Sequence, residues 1–307
     1  MFQILGKTNV DFIGKRYYAF AFSSILVILG LVSLVGIFLG KANLGIDFAG
    51  GTMVQGNFDK PVFISNLRSV MTKNGFPDAT IQILKRNISN SFLIRVKTTS
   101  EGQISEISDR ILGVLAKEFP DNKFSMDSVD EIGPAVGKTL QKQATWAVCL
   151  AFIGILIYIW LRFDFRFGVA ATIATLHDVL AVLGILFVLN REITLLIVTG
   201  LLTLAGYSLT DTVVVFDRIR ENLKLFRKRG DFASTINNSI NEVLTRTIIT
   251  VFTTFLAVFF LFILGGEVTR DLALTLLLGM IVGTYSSVFV ASPLLVEWEK
   301  MSPKRFK

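Results

Sequence analysis

The sequence predicts an α-helical membrane protein of six transmembrane helices, with an α+β extracytoplasmic domain between helices one and two. Three observations predict it. Of 307 residues 52% are hydrophobic and 27 are phenylalanine, more apolar surface than a soluble domain of that length buries. Six stretches supply the roughly 18 or more apolar residues that a helix needs to cross a membrane. Lysine and arginine crowd alternate short connections, while the one long connection returns to polar sequence with strand and helix periodicity.

The six spans read as Tyr17–Gly40, Ala144–Leu161, Gly168–Leu189, Ile193–Val215, Thr247–Gly265 and Leu272–Val296. The first is too long for the apolar region of a signal peptide and lacks a small-residue cleavage site, so it reads as a retained anchor. One set of connections carries Lys15 and Arg16, Arg162 and Arg166, the run from Arg218 to Arg229, Arg246, and Lys300 to Lys307; the opposite short loops hold only Arg191 and Arg270. By the positive-inside rule both termini are cytoplasmic. The expected organisation is a cytoplasmic N-terminus (1–16), the first helix (17–40), the extracytoplasmic domain (41–143), a five-helix bundle (144–296) with a basic cytoplasmic connector (216–246), and a cytoplasmic tail (297–307). The net charge of +7 sits largely in those loops, which points to membrane lipid rather than nucleic acid. A single cysteine, Cys149, excludes an intrachain disulfide.

Within the domain, "GTMVQGNF" (51–58) alternates as a strand. "KPVFISNLRSVMTKNG" (60–75) is helical, with Phe63, Leu67 and Val70 on one face. "ATIQILKR" and "SFLIRVKT" form a hairpin through "NISN", a second helix follows with Ile104, Ile107, Ile111 and Leu115 aligned, and "KFSMDSVDEIG" closes as a strand. The order strand, helix, strand, strand, helix, strand suits a ferredoxin-like domain. It holds no His, no Cys and no phosphate loop, so binding or mechanical work fits it better than catalysis.

Ionisable residues inside spans cost about 2.5–3.5 kcal/mol each on insertion scales and usually face protein or water. Asp211 lies in the cytoplasmic half of the fourth span; it either reaches headgroup water or is a carboxyl that loads and releases a proton. Burial disfavours its charged form and a nearby cation favours it, so a movable cation would toggle it. Arg246, opening the fifth span at similar depth, is the candidate cation; its alternative is an ordinary positive-inside anchor. His177 and Asp178 sit mid-way along the third span. Neighbours on a helix diverge by about 100°, so the two are not expected to share one partner. Asp178 reads as structural glue or a secondary relay element, and His177, the only histidine, as a packing residue or a weak relay candidate.

The chain resembles the SecF side of the SecD/SecF family of bacterial Sec translocase accessory subunits. The resemblance rests on "GIDFAGGT" (45–52), "LHDV" (176–179), "GYSLTDTVVVFDRIREN" (206–222) and "RTIIT" (246–250), in order along the whole length. It implies an accessory subunit, related to exporters of the resistance-nodulation-division type, that pairs with the six-span subunit SecD. The pair would assist the SecYEG channel, with YajC as a further partner, and use the proton motive force to complete export of unfolded preprotein. It also matches the family's proton-relay aspartate and arginine to Asp211 and Arg246. No cofactor or metal is implied beyond the ion gradient, and sodium remains an alternative to the proton.

Asp47, in "GIDFAGG", is expected to cap a helix or bond local backbone rather than bind a metal. Gly36 with Gly40, and Gly279 with Gly283, have spacing that permits close helix contact. In the connector, Ile219, Leu223 and Phe226 suggest a lipid-touching helix, and Asp231 a cap for the next. Three rival functions are weighed: a stand-alone half of a proton-driven small-molecule exporter, an intramembrane aspartyl protease using Asp178 and Asp211, and a passive scaffold anchoring an outer binding domain, for which neutralising Asp211 would change nothing. The second lacks the expected Tyr-Asp and Gly-x-Gly-Asp motifs, so the chain reads as no enzyme.

Overall fold

The computed structural model describes residues 8–84, 90–97, 104–225 and 231–302. In chain order the elements are α1 (Arg16–Phe38), α2 (Ile46–Ala49), β1 (Gly51–Phe58), α3 (Ile64–Lys73), β2 (Thr80–Ile83), β3 (Ser91–Lys97), α4 (Ile104–Glu118), β4 (Phe124–Ile132), α5 (Pro134–Arg162), α6 (Phe165–Val188), α7 (Leu195–Leu225), α8 (Phe232–Leu264), α9 (Glu267–Ser286), a π turn (Ser287–Ala291) and α10 (Ser292–Met301). They form two compact units, one of Met1–Ala42, Val148–Arg191 and Leu196–Lys307, the other of Asn43–Ala147 and Glu192–Leu195.

Six helical stretches are long and apolar enough to cross a membrane: α1, α5, α6, α7, α8 and the composite Thr269–Met301. Several extend past the expected apolar runs: α5 begins at Pro134 rather than Ala144, α7 continues to Leu225 and α8 starts at Phe232. An apolar run marks the part of a helix that must lie in hydrocarbon, and polar residues continue the same hydrogen-bond ladder in water. The most apolar windows of α6, α7 and the last composite span are 56%, 50% and 61% buried, against 17%, 11% and 6% for α1, α5 and α8. The first three therefore form the interior of the membrane unit.

Close approach rests on small residues. A Cβ on Gly30 of α1 would lie 2.2 Å from the Leu180 carbonyl oxygen of α6, and one on Gly184 would lie 2.6 Å from the Gly30 nitrogen. Of the spaced pairs, Gly279 and Gly283 do lie against Leu204 and Ser208 of α7. Gly36 only meets the Phe187 ring, and Gly40 has open space and φ +66° just past the end of α1, so its role is to leave the helix. The π turn answers to Pro293, whose ring cannot sit over the carbonyl four residues earlier in an α-helix. There Ser292 Oγ donates to the Ser287 carbonyl at 2.9 Å.

The described parts of the 216–246 region contribute side chains to the core of the bundle. Ile219, Ile236 and Ile240 are fully buried with Phe216 and Phe167 in one core. Asn222 Nδ2 donates to Ser239 Oγ at 3.0 Å and to Glu242 Oε2 at 2.8 Å, and Arg218 Nε to Glu242 Oε2 at 2.5 Å. Asp231 caps α8, accepting from the Ser234 amide at 3.2 Å; Phe226 lies outside the described residues.

The second unit is a four-stranded antiparallel sheet of order β2-β3-β1-β4, the ferredoxin-like arrangement. Val54, Phe58, Phe92, Ile94 and Val96 of the sheet pack with Leu67 and Met71 of α3 and with Ile107, Ile111 and Leu115 of α4. Phe63 does not join them: it is 79% exposed at the N-cap of α3, and Met71, one turn beyond Leu67, takes its place. β2 and β3 pair antiparallel as expected, while most of the connecting "NISN" and the Ile104 side chain lie outside the described residues. Between α2 and β1 the chain turns on Gly50, at φ +77°, and Gly51, where a Cβ would meet the Val96 carbonyl oxygen at 2.3 Å.

The glycine contact gives a direct test. Gly184→Leu should force α1 from α6 and cost about 1–3 kcal/mol, read as a lower unfolding midpoint in detergent. Gly154→Leu on α5, where a Cβ meets nothing within 4 Å, should leave it unchanged.

Candidate functional site

Three interior helices bring polar groups to one place. Asp178, on α6, is fully buried. Its Oδ2 accepts from Ser208 Oγ of α7 and from Ser286 Oγ, at the end of α9, the latter at 2.7 Å. Its Oδ1 lies 2.9 Å from Nδ1 of His177. The two neighbours are not expected to share one partner; instead their side-chain ends meet each other. A buried carboxyl needs this many partners, because each unmade hydrogen bond costs about 1–3 kcal/mol.

The cluster continues on both sides. Thr212 Oγ1 of α7 and Ser287 Oγ of the π turn are 3.1 Å apart. The His177 ring lies beside Tyr285, with centroids 6.4 Å apart, and Tyr285 donates to the Ala19 carbonyl of α1 at 2.9 Å. His177 is 4% exposed, and its Nε2 is buried with no hydrogen-bond partner among the described residues.

Asp211 contrasts with Asp178. It is 6% exposed on α7, and its Oδ2 is buried without a hydrogen-bond partner among the described residues. Arg246 is not against it: it is exposed on α8, and no ion pair joins the two. Thr247, next to Arg246, is buried with its hydroxyl unpartnered among the described residues. The two aspartates therefore differ in chemical availability. Both oxygens of Asp178 are engaged, whereas Asp211 has an oxygen that can receive a proton or a cation without first losing a protein hydrogen bond. The acids share no hydrogen bond, as a proteolytic dyad would require, and no group of three or more His, Cys, Asp or Glu among the described residues is arranged to hold a metal.

Sequence reasoning singled out the acids but missed their serine donors. Ser208 sits inside "GYSLTD" and Ser286 in "TYSS", yet serine is so common in membrane helices that neither spacing nor type marks it.

Fold and site together define a polytopic membrane protein with ionisable side chains walled into its helices and one folded domain inserted after the first span. Residues 113–301 match the family described as protein export membrane protein SecD/SecF, C-terminal, and residues 37–62 match the SecD/SecF GG motif. The chain belongs to the SecD/SecF family. It is 50% identical over 297 residues to the protein translocase subunit SecF of Thermodesulfovibrio yellowstonii, covering 96% of this chain and 97% of that one. It is 43% identical to SecF of Calditerrivibrio nitroreducens, covering 95% of each. The crystal structure of SecDF, a translocon-associated membrane protein from Thermus thermophilus, superposes with a TM-score of 0.81 at 35% identity. That match covers 98% of this chain and 40% of the longer SecDF chain.

Removing one donor should reveal the Asp178 network. Ser286→Ala should lower stability by about 1–3 kcal/mol, measured by unfolding in detergent. The same change in an Asp178→Asn background should cost measurably less, because the two side chains act as one unit.

Proposed function

We propose that this chain is a SecF-type accessory subunit that, with a SecD partner, uses the proton motive force to promote preprotein export across the bacterial cytoplasmic membrane. Its termini lie in the cytoplasm, and its inserted domain works on the far side beside the SecYEG channel. The observation that carries the reading is Asp211: a carboxyl buried on an interior helix, with one oxygen unpartnered among the described residues, in a motif that resembles the one holding the family's relay acid.

The mechanism follows from charge. An ionised carboxylate in this setting needs a compensating cation or a proton. Arg246 is the cation this reading assigns; exposed on α8, it approaches Asp211 in one state and withdraws in the other, leaving the acid to take a proton. Asp178, held by Ser208, Ser286 and His177, keeps α6, α7 and α9 in register while α7 responds. One proton moving through about 100 mV supplies about 2.3 kcal/mol, an approximately fifty-fold bias on a two-state equilibrium.

The rival reading, a self-sufficient small-molecule exporter, is disfavoured because the chain aligns with only 40% of SecDF, which supports a second six-span partner.

Asp211→Asn, compared with wild type at matched abundance in inverted vesicles, should abolish the part of preprotein export that depends on the proton gradient, about a tenfold or greater loss against the ungated remainder. Arg246→Gln should behave likewise. Unchanged export by Asp211→Asn would make the aspartate structural, and rescue of wild type by a sodium gradient alone would change the coupling ion.

A further inference from the structure

The unit built around the sheet includes four residues from far along the chain, Glu192–Leu195, the segment that leads into α7. Three kinds of bond hold it. Backbone pairing joins Leu44 to Ile193 in a parallel bridge, with the Gly45 amide donating to the Ile193 carbonyl at 2.9 Å and the Ile193 amide to the Asn43 carbonyl at 2.7 Å. Asp47 Oδ2 accepts the Leu195 amide at 2.8 Å across 148 residues of sequence, so of its two expected roles Asp47 takes that of a cap, at the N-terminal turn of α7 rather than on local backbone. Arg95 Nη1 of β3 pairs with Glu192 Oε2 at 2.9 Å, the two side chains only 12% and 6% exposed. Gly45 is required for the fit: a Cβ there would lie 2.8 Å from Thr194 Cγ2.

Each bond suits a joint that does not slip. A buried Arg–carboxylate pair is strongly destabilised when one member is lost, by about 3–5 kcal/mol, because the other charge is left uncompensated. A carboxylate at a helix N-terminus satisfies a free amide and favours the helix dipole. Leu195 is the first residue of α7, and Asp211 lies on the same unbroken helix, about 24 Å along at 1.5 Å per residue.

We propose that residues 192–195 are a coupling strap: the inserted domain grips the first turn of α7 through Asp47, the 44–193 bridge and the Arg95–Glu192 pair, so that movement of the acid-bearing helix is delivered to the domain. Asp47, Arg95 and Glu192 are positioning residues that touch neither the proton nor the preprotein. The strap stays closed throughout the cycle. This rests on the proton-driven reading of Asp211 and adds the route by which work leaves the membrane.

The test separates coupling from ion handling. The full chain, co-reconstituted with its SecD partner and the SecYEG channel, is assayed for gradient-dependent preprotein export and, with a pH-sensitive dye, for Asp211-dependent proton uptake. Asp47→Ala and Glu192→Ala should lose gradient-dependent export at least tenfold while proton uptake persists. Asp47→Asn, which keeps an acceptor oxygen, should recover most of it. Amide hydrogen exchange at 192–195, which does not depend on what Asp211 does, should rise in Asp47→Ala. A disulfide between Leu44→Cys and Ile193→Cys, in a Cys149→Ser background, should leave export intact when oxidised.

Wild-type export by Asp47→Ala and Glu192→Ala would refute the strap, as would simultaneous loss of export and proton uptake, or a block of export by the oxidised cross-link. Failure of the Asp211 reading shows elsewhere: Asp211→Asn would then keep both export and uptake, whatever the strap variants do.

Discussion

The structure depends on one constraint: inside a membrane a polar group must be satisfied by the protein itself. Asp178 obeys it in full. Its two oxygens draw in a serine from α7, a serine from the end of α9 and the ring of His177, and this fixes which helices are interior. The glycine contacts follow the same convergence, since Gly279 and Gly283 bring α9 close enough to Leu204 and Ser208 for the serines to reach one carboxylate. The π turn begins at the next residue, where Ser287 faces Thr212. Extra turns of this kind commonly mark functional sites in helices.

Against that satisfied acid, Asp211 marks where the constraint is left open. It lies on the same helix as Ser208, nearly one turn away, yet its Oδ2 has no partner among the described residues. Two acids of one residue type thus have opposite circumstances within one bundle. An engaged acid stabilises a packing, and an available one can change its charge. Arg246 is exposed on α8, outside the interior.

The inserted domain has its own core, built on Leu67, Met71, Ile111 and Leu115 over the sheet. Among its described residues the buried ionisable groups are the paired Arg95 and Glu192. That ion pair lies where a segment from between two spans, Glu192–Leu195, joins the compact unit of the domain.

Much of this was legible in the sequence. The six spans could be counted because a helix in hydrocarbon must be apolar for a fixed length, and the β-α-β-β-α-β order because strand and helix periods differ. Asp231 could be recognised as a cap from its position before a helical run, and the motifs around Asp178, Asp211 and Arg246 sufficed for a family resemblance. These are local properties, written in consecutive residues. What only the tertiary structure decided is partnership: that Ser208 and Ser286 serve Asp178, that Arg246 stands apart from Asp211, that Gly30 rather than Gly40 meets the neighbouring helix, and that Asp47 holds an amide 148 residues away. The physical reason is that a hydrogen bond or a close helix contact depends on separation in space, and nothing in the spacing of residues along one chain encodes which side chains the packing of six helices will bring within 3 Å.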